Sequence, residues 1–145
     1  MSGIPITVEV FMEARRDKVL LIDDDHFFLK ILSDAFVEGG FIVFTAKDGV
    51  EGVEVFLASQ PDAVISDLIM PRMGGVSTCQ EISRLSGIRE PVMVLLTSML
   101  QGKPREYAAP EMGARVHIPK STRPIDIVII VEQLLDRKKY PPIAG

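Results

Sequence analysis

An α/β fold, a single doubly wound sheet of five parallel strands flanked by five helices, is predicted by three features of the chain. From Lys18 onward, short β-branched runs alternate with segments of helical length, the pattern of a parallel sheet wrapped by crossover helices. Four of the runs end in polar residues: Asp23 and Asp24 after 19–22, Asp67 after 63–66, Thr97 after 92–96, and Lys120 after 116–119. At 145 residues the chain is about one domain long, and 47% apolar with 25% charged residues is ordinary for a chain that folds throughout.

The strands are expected at 18–22, 41–45, 63–66, 92–96 and 116–118. Between the first two, Phe27, Ile31, Leu32, Ala35 and Phe36 form a stripe of helical period, stopped by Gly39 and Gly40. Val50, Val53, Val55, Phe56 and Leu57 mark the second helix, and Val76, Cys79, Ile82 and Leu85, at three-residue steps, the third. The fourth helix, between Thr97 and Gly113, is expected to be short or distorted. It contains Gly102, Pro104 and Pro110, and a proline inside a helix costs about 3 kcal/mol. Pro104 fits a first turn, where its missing N–H does no harm, which leaves Pro110 as the break.

The last helix is expected to follow Ser121 and Thr122 as cap candidates, with Pro124 in its first turn, and to run to about residue 138. Residues 125–131 are apolar nearly all round, whereas a helix on one sheet face needs a single stripe. Ile127 or Ile130 is therefore expected to face outward into a partner or an extra segment, unless residues 1–16 cover that surface. The expected organisation is an N-terminal arm at 1–17, with a period-two strand signal at Ile4, Ile6, Val8 and Val10, one domain at 18–138, and a loose tail at 139–145.

The formal net charge of −4 argues against a nucleic-acid surface, because phosphate contacts need a Lys/Arg excess. One cysteine, Cys79, precludes an internal disulfide, and with two histidines it cannot assemble a zinc site of the usual ligands. Glu9 and Glu13 stand where a signal peptide would be apolar, and no run approaches the roughly 20 residues of a membrane helix. A cytoplasmic location with no membrane contact is the expectation.

If the runs are parallel strands of one sheet, their C-terminal ends share one edge, where open α/β sheets place their sites. Asp23, Asp24, Asp67, Thr97 and Lys120 then become one cluster. Two unit charges about 4 Å apart repel by about 4 kcal/mol at an effective dielectric of about 20, so three carboxylates demand a cation. Hard oxygen ligands on an open edge suit Mg²⁺, which keeps several waters and takes one or two carboxylates. With Mg²⁺ and Lys120 present, one carboxylate can attack a phosphoryl group whose oxygens are held by metal, ammonium, the Thr97 hydroxyl and backbone N–H groups. This is the layout of an aspartyl-phosphate site.

Four segments in order, Leu21-Ile22-Asp23-Asp24-Asp25, Ile65 to Gly75 with its Asp67-Leu68-Ile69-Met70-Pro71 core, Leu96-Thr97-Ser98, and Gly113 to Lys120, closely resemble the receiver domain of two-component response regulators. The resemblance covers about 18–138 and implies a CheY-like sheet of strand order 2-1-3-4-5, with two helices on one face and three on the other. It further implies that Asp67 is the phosphoacceptor and that Asp24 and Asp67 bind Mg²⁺ with the Ile69 backbone carbonyl. Asp23 would complete the acidic pocket, Lys120 would contact the phosphoryl oxygens, and Thr97 would close on them. Asp25 reads better as a helix cap than as a metal ligand.

The implied partner is a histidine kinase or phosphotransfer protein. Output would pass through an effector or a second copy on the face of the fourth helix, fifth strand and fifth helix. Three positions depart from the family pattern: Ser121 replaces the Pro after the lysine, Gly74 an Asp in the loop, and His117 a Tyr or Phe. Ile69 and Met99, two residues after the acceptor and the threonine, offer no polar side chain to orient a hydrolytic water, which implies slow loss of phosphate. Two other functions remain open on sequence. One is a haloacid-dehalogenase-like phosphatase, whose Asp-x-Asp pair would be Asp23 and Asp25; the other is a pseudo-receiver that binds partners without phosphorylation.

Overall fold

The computed structural model describes residues 16–98 and 116–141. In chain order it comprises β1 (Lys18–Ile22), α1 (His26–Glu38), β2 (Ile42–Ala46), α2 (Gly49–Ser59), β3 (Ala63–Asp67) and α3 (Gly75–Ser86). A 3-10 turn (Gly87–Arg89), β4 (Val92–Thr97), β5 (Val116–Pro119) and the C-terminal helix α4 (Pro124–Lys139) complete it. All strands pair in parallel in the order β2-β1-β3-β4-β5, the predicted order. Four α-helices stand among the described residues. The expected fourth helix at 99–113, the arm up to residue 15 and most of the tail lie outside them.

Side chains alternate across each strand, and both sheet faces are covered, so the strands are apolar on both sides. Val19, Leu21, Ile65, Val94, Leu96 and Ile118 face α1 and α4, where Leu32, Phe36, Ile127, Val128, Val131 and Leu135 meet them. Leu20, Ile22, Val64, Met93 and Leu95 face α2 and α3 through Phe56, Cys79 and Ile82. One-residue register thus decides which of two cores each strand residue enters.

The helix starts follow capping chemistry. Asp25 accepts from the Phe27 and Phe28 N–H groups at 3.0 and 3.2 Å and caps α1, while Asp48 accepts from Glu51 N at 2.9 Å and caps α2. The expected cap at Ser121 or Thr122 is not used: α4 begins after Arg123, which makes no side-chain cap bond, with Pro124 fixing the first turn. That start sets the phase, burying Ile127, Val128, Val131 and Leu135 at helical spacing. Ile127 is fully buried and Ile130 is half-buried against the same core, so neither is the outward-facing residue expected, and Ile125 and Ile129 are exposed instead. In α1 the buried stripe likewise falls on Leu32 and Phe36 with Phe28, Leu29 and Ala35, leaving Phe27 74% exposed and Ile31 outside.

The strand ends run one residue further than expected in β2, β3, β4 and β5, which close on Ala46, Asp67, Thr97 and Pro119. Strand β2 begins one residue later than expected, at Ile42, because Phe41 turns inward in an edge-to-face contact with Phe36 at 5.0 Å. The expected polar sheet edge is therefore built from the last residues of the strands and those directly after them.

Candidate functional site

Asp23 is the first residue after β1 and Asp67 the last of β3, neighbouring strands in register at Ile22↔Ser66. Parallel pairing brings their carboxylates to the same edge, and ligand oxygens of Asp23, Asp24 and Asp67 all lie within 4.8 Å of one another. Lys120 enters from the end of β5, fixed by its own N–H, which donates to the Thr97 carbonyl at 2.7 Å. Its Nζ lies 2.9 Å from Asp23 Oδ2 and 3.7 Å from Asp67 Oδ2. The same ammonium stands 4.6 Å from the Phe28 ring centroid, a cation–π contact that walls one side of the site.

The three carboxylates are not equivalent. Asp23 is buried and both its oxygens are engaged, Oδ1 by the Asp25 N–H at 2.8 Å and Oδ2 by Lys120. Asp24 is exposed. Asp67 is buried, with Oδ1 accepting from Leu68 N at 3.0 Å and Oδ2 turned toward Lys120. Burial, together with the charge of Asp23, pushes the Asp67 carboxyl up to about 6 despite Lys120 and the Leu68 N–H, which act the other way. Burial alone would lower the Lys120 ammonium, but the bond and charge of Asp23 and the charges of Asp67 and Asp25 outweigh it and raise it. One ammonium facing three carboxylates leaves an excess of negative charge, so the oxygen donor set fits a hard divalent cation such as Mg²⁺.

The loop after β3 is pinned close to this cluster. Gly75 N donates to the Leu68 carbonyl at 2.9 Å, and a Cβ on Gly75 would lie 2.3 Å from the Asp67 carbonyl oxygen. Only a glycine lets α3 begin so near the Asp67 backbone. Gly74 occupies the α3 N-cap without a side-chain bond, the structural result of lacking the expected Asp there. Two residues beyond Asp67 stands the apolar Ile69, its side chain 71% exposed; Met99 lies outside the described residues.

Sheet pairing therefore brings together Asp23, Asp24, Asp67 and Lys120. Thr97 ends β4 half-buried, with Asp67 opposite its neighbour Leu96 in the β3–β4 register. His117, on β5 opposite Leu95, is half-buried, and burial holds its imidazole below the ordinary range. Asp25 is committed to capping α1. Sequence reading does not find Phe28 beneath Lys120, nor Arg72, whose guanidinium reaches back 24 residues to Asp48. The only trace of the latter is Asp48 followed by Glu51, a helix-start signature.

The sequence matches the family model of the response regulator receiver domain over residues 19–132. It is 30% identical over 122 residues to the response regulator MprA of Mycobacterium ulcerans, an alignment covering 84% of this chain and 51% of MprA. Identity to the protein-glutamate methylesterase/protein-glutamine glutaminase 1 of Oleidesulfovibrio alaskensis is 35% over 126 residues, covering 84% of this chain and 34% of that protein. The chain thus spans between a third and about half of the length of these curated relatives. Chemotaxis protein CheY4 of Vibrio cholerae shares the fold, with a TM-score of 0.73 at 24% identity over 82% of this chain and 98% of CheY4. A family match of this extent, on a sheet of this strand order, means that the chain belongs to the response regulator receiver domain family, the signalling modules of two-component systems.

Proposed function

We propose that this receiver domain accepts a phosphoryl group on Asp67 from a phosphohistidine of a histidine kinase or phosphotransfer protein, in a Mg²⁺-dependent reaction, and signals through protein contacts. The observation that carries the reading is the placement of the Asp67 carboxylate between an ammonium 3.7 Å away and two further carboxylates whose oxygens lie within 4.8 Å. Asp24, Asp67 and the Ile69 backbone carbonyl would hold Mg²⁺, with Asp23 completing the acidic pocket. Bound there, Mg²⁺ supplies charge neutralisation for the acceptor and for the phosphoryl oxygens.

The remaining chemistry belongs to the chain. An ionised Asp67 oxygen forms the new bond to phosphorus while the phosphorus–nitrogen bond of the donor breaks, its electron pair returning to the imidazole. Lys120, held at the site by Asp23, meets the phosphoryl oxygens as a point charge. Thr97, at the end of β4, is the hydroxyl that closes on the product. With the exposed Ile69 two residues beyond the acceptor, no side chain there orients a water for hydrolysis, which supports slow loss of phosphate. Exposed Ile125 and Ile129 on α4, adjoining β5 in sequence, support an output surface for an effector or a second copy.

The phosphatase reading is not favoured. Its acid, Asp25, is spent on the α1 cap, where its Oδ1 accepts from the Phe27 and Phe28 N–H groups. Nor is the pseudo-receiver favoured, since the acidic cluster and its lysine are assembled. Incubation with Mg²⁺ and acetyl phosphate followed by intact mass tests the proposal. A single phosphoryl adduct, absent with EDTA and absent in Asp67→Asn, is the expected outcome; labelling that survives Asp67→Asn overturns it.

A further inference from the structure

Arg72, in the loop between β3 and α3, holds a left-handed backbone with φ 69°, a conformation that L side chains rarely adopt. Its guanidinium grips Asp48 with two bonds, Nε to Oδ2 and Nη2 to Oδ1, each 3.1 Å. A planar fork on a carboxylate fixes orientation as well as distance. Asp48 is itself buried, and its Oδ1 also caps α2 by accepting from Glu51 N. The two pieces are also fitted sterically. A Cβ on Gly49, the first residue of α2, would lie 2.4 Å from the Met73 carbonyl oxygen and 2.2 Å from Thr78 Oγ1.

The same loop carries Ile69, three residues before Arg72. Its side chain lies in solvent and cannot fix its own peptide. On one side the chain is held by Leu68 N, which donates to the Leu96 carbonyl at 2.9 Å; on the other it is held by buried Met70 and then by Arg72.

We propose that Arg72 is a positioning residue. Its grip on Asp48 fixes the β3–α3 loop against the start of α2, so that the Ile69 carbonyl is presented to a cation held by Asp24 and Asp67. The inference rests on the Mg²⁺-dependent reading above and adds a residue on which that affinity depends.

Glycine accepts this backbone without strain yet has no reach to Asp48, so Arg72→Gly separates the clasp from the fold. In the full chain, Arg72→Gly is expected to stay folded with a cooperative urea transition, since relief of the left-handed backbone offsets part of the lost ion pair. It should nevertheless bind Mg²⁺ roughly tenfold more weakly by calorimetric titration with MgCl₂, the low end of what disturbing the surroundings of a metal site costs. Mn²⁺ titration followed by electron paramagnetic resonance should show the same loss. Asp48→Asn, which keeps an oxygen for the α2 cap, should weaken Mg²⁺ in the same direction, and the double variant should be no weaker than Arg72→Gly alone. Mg²⁺ affinity in Arg72→Gly within about twofold of the unaltered chain overturns the clasp alone. An unaltered chain that binds no Mg²⁺ overturns the Mg²⁺ reading, and the clasp with it.

Discussion

Burial and the neighbouring charge of Asp23 both favour the neutral acid at Asp67, raising it from an ordinary value of 3.8 to about 6. The unfolded chain ionises this group near pH 4, so between about pH 4 and 6 the folded state binds the extra proton. The stabilising effect is complete below the unfolded value and is lost as pH rises through about 6, leaving a cost at neutral pH. Asparagine carries no such cost. In EDTA at pH 7.5, Asp67→Asn is therefore expected to be more stable than the unaltered chain by on the order of 1–3 kcal/mol in urea unfolding followed by circular dichroism, the gap closing toward pH 4. Equal stability at pH 7.5 would contradict the burial argument. Gly75 makes a second residue-scale prediction: Gly75→Ala forces a Cβ to 2.3 Å from the Asp67 carbonyl and 2.7 Å from Leu95 Cδ2, and should cost about 1–3 kcal/mol or more. Asp23, Asp67 and Lys120 were legible in the sequence because each follows or ends an apolar run. Arg72 and Phe28 were not, since a loop-to-helix bond across 24 residues and a ring under an ammonium leave no periodic trace.

Helix phase is the property the sequence conveyed least. In α4 the stretch 125–131 offers little polar contrast, so the pattern alone cannot say which isoleucine is inside. The structure decides it from the start of the helix at Pro124, which places Ile127 at 0% exposure and Ile129 at 42%. Ile127→Ala should accordingly cost about 2–5 kcal/mol in thermal or urea unfolding, whereas Ile129→Ala should stay within about 0.5 kcal/mol. Comparable losses at both positions would contradict the observed phase. Strand existence, by contrast, was legible from composition, and the small errors lie at ends. Asp67, Thr97 and Pro119 prolong their strands because the parallel ladder extends to them.

Across the whole molecule, a doubly wound sheet separates stability from chemistry. Two apolar cores occupy its faces, and the carboxylates and lysine collect at one edge. That arrangement was legible because parallel strands must all end on the same side; the segment 99–115 is where the sequence prediction has no structural counterpart among the described residues. Concentrating negative charge at one edge has a measurable consequence. Free Mg²⁺ at about 100 times its dissociation constant should stabilise the folded chain by about 2.7 kcal/mol, and Asp24→Asn should abolish most of that gain.

Phosphoryl transfer to Asp67 is tested most directly by peptide mapping after incubation with Mg²⁺ and acetyl phosphate. One acid-stable, base-labile phosphoryl adduct, located on Asp67 and persisting for minutes or longer, is the expected result. An adduct located on Asp23, or no adduct in the unaltered chain, would contradict it.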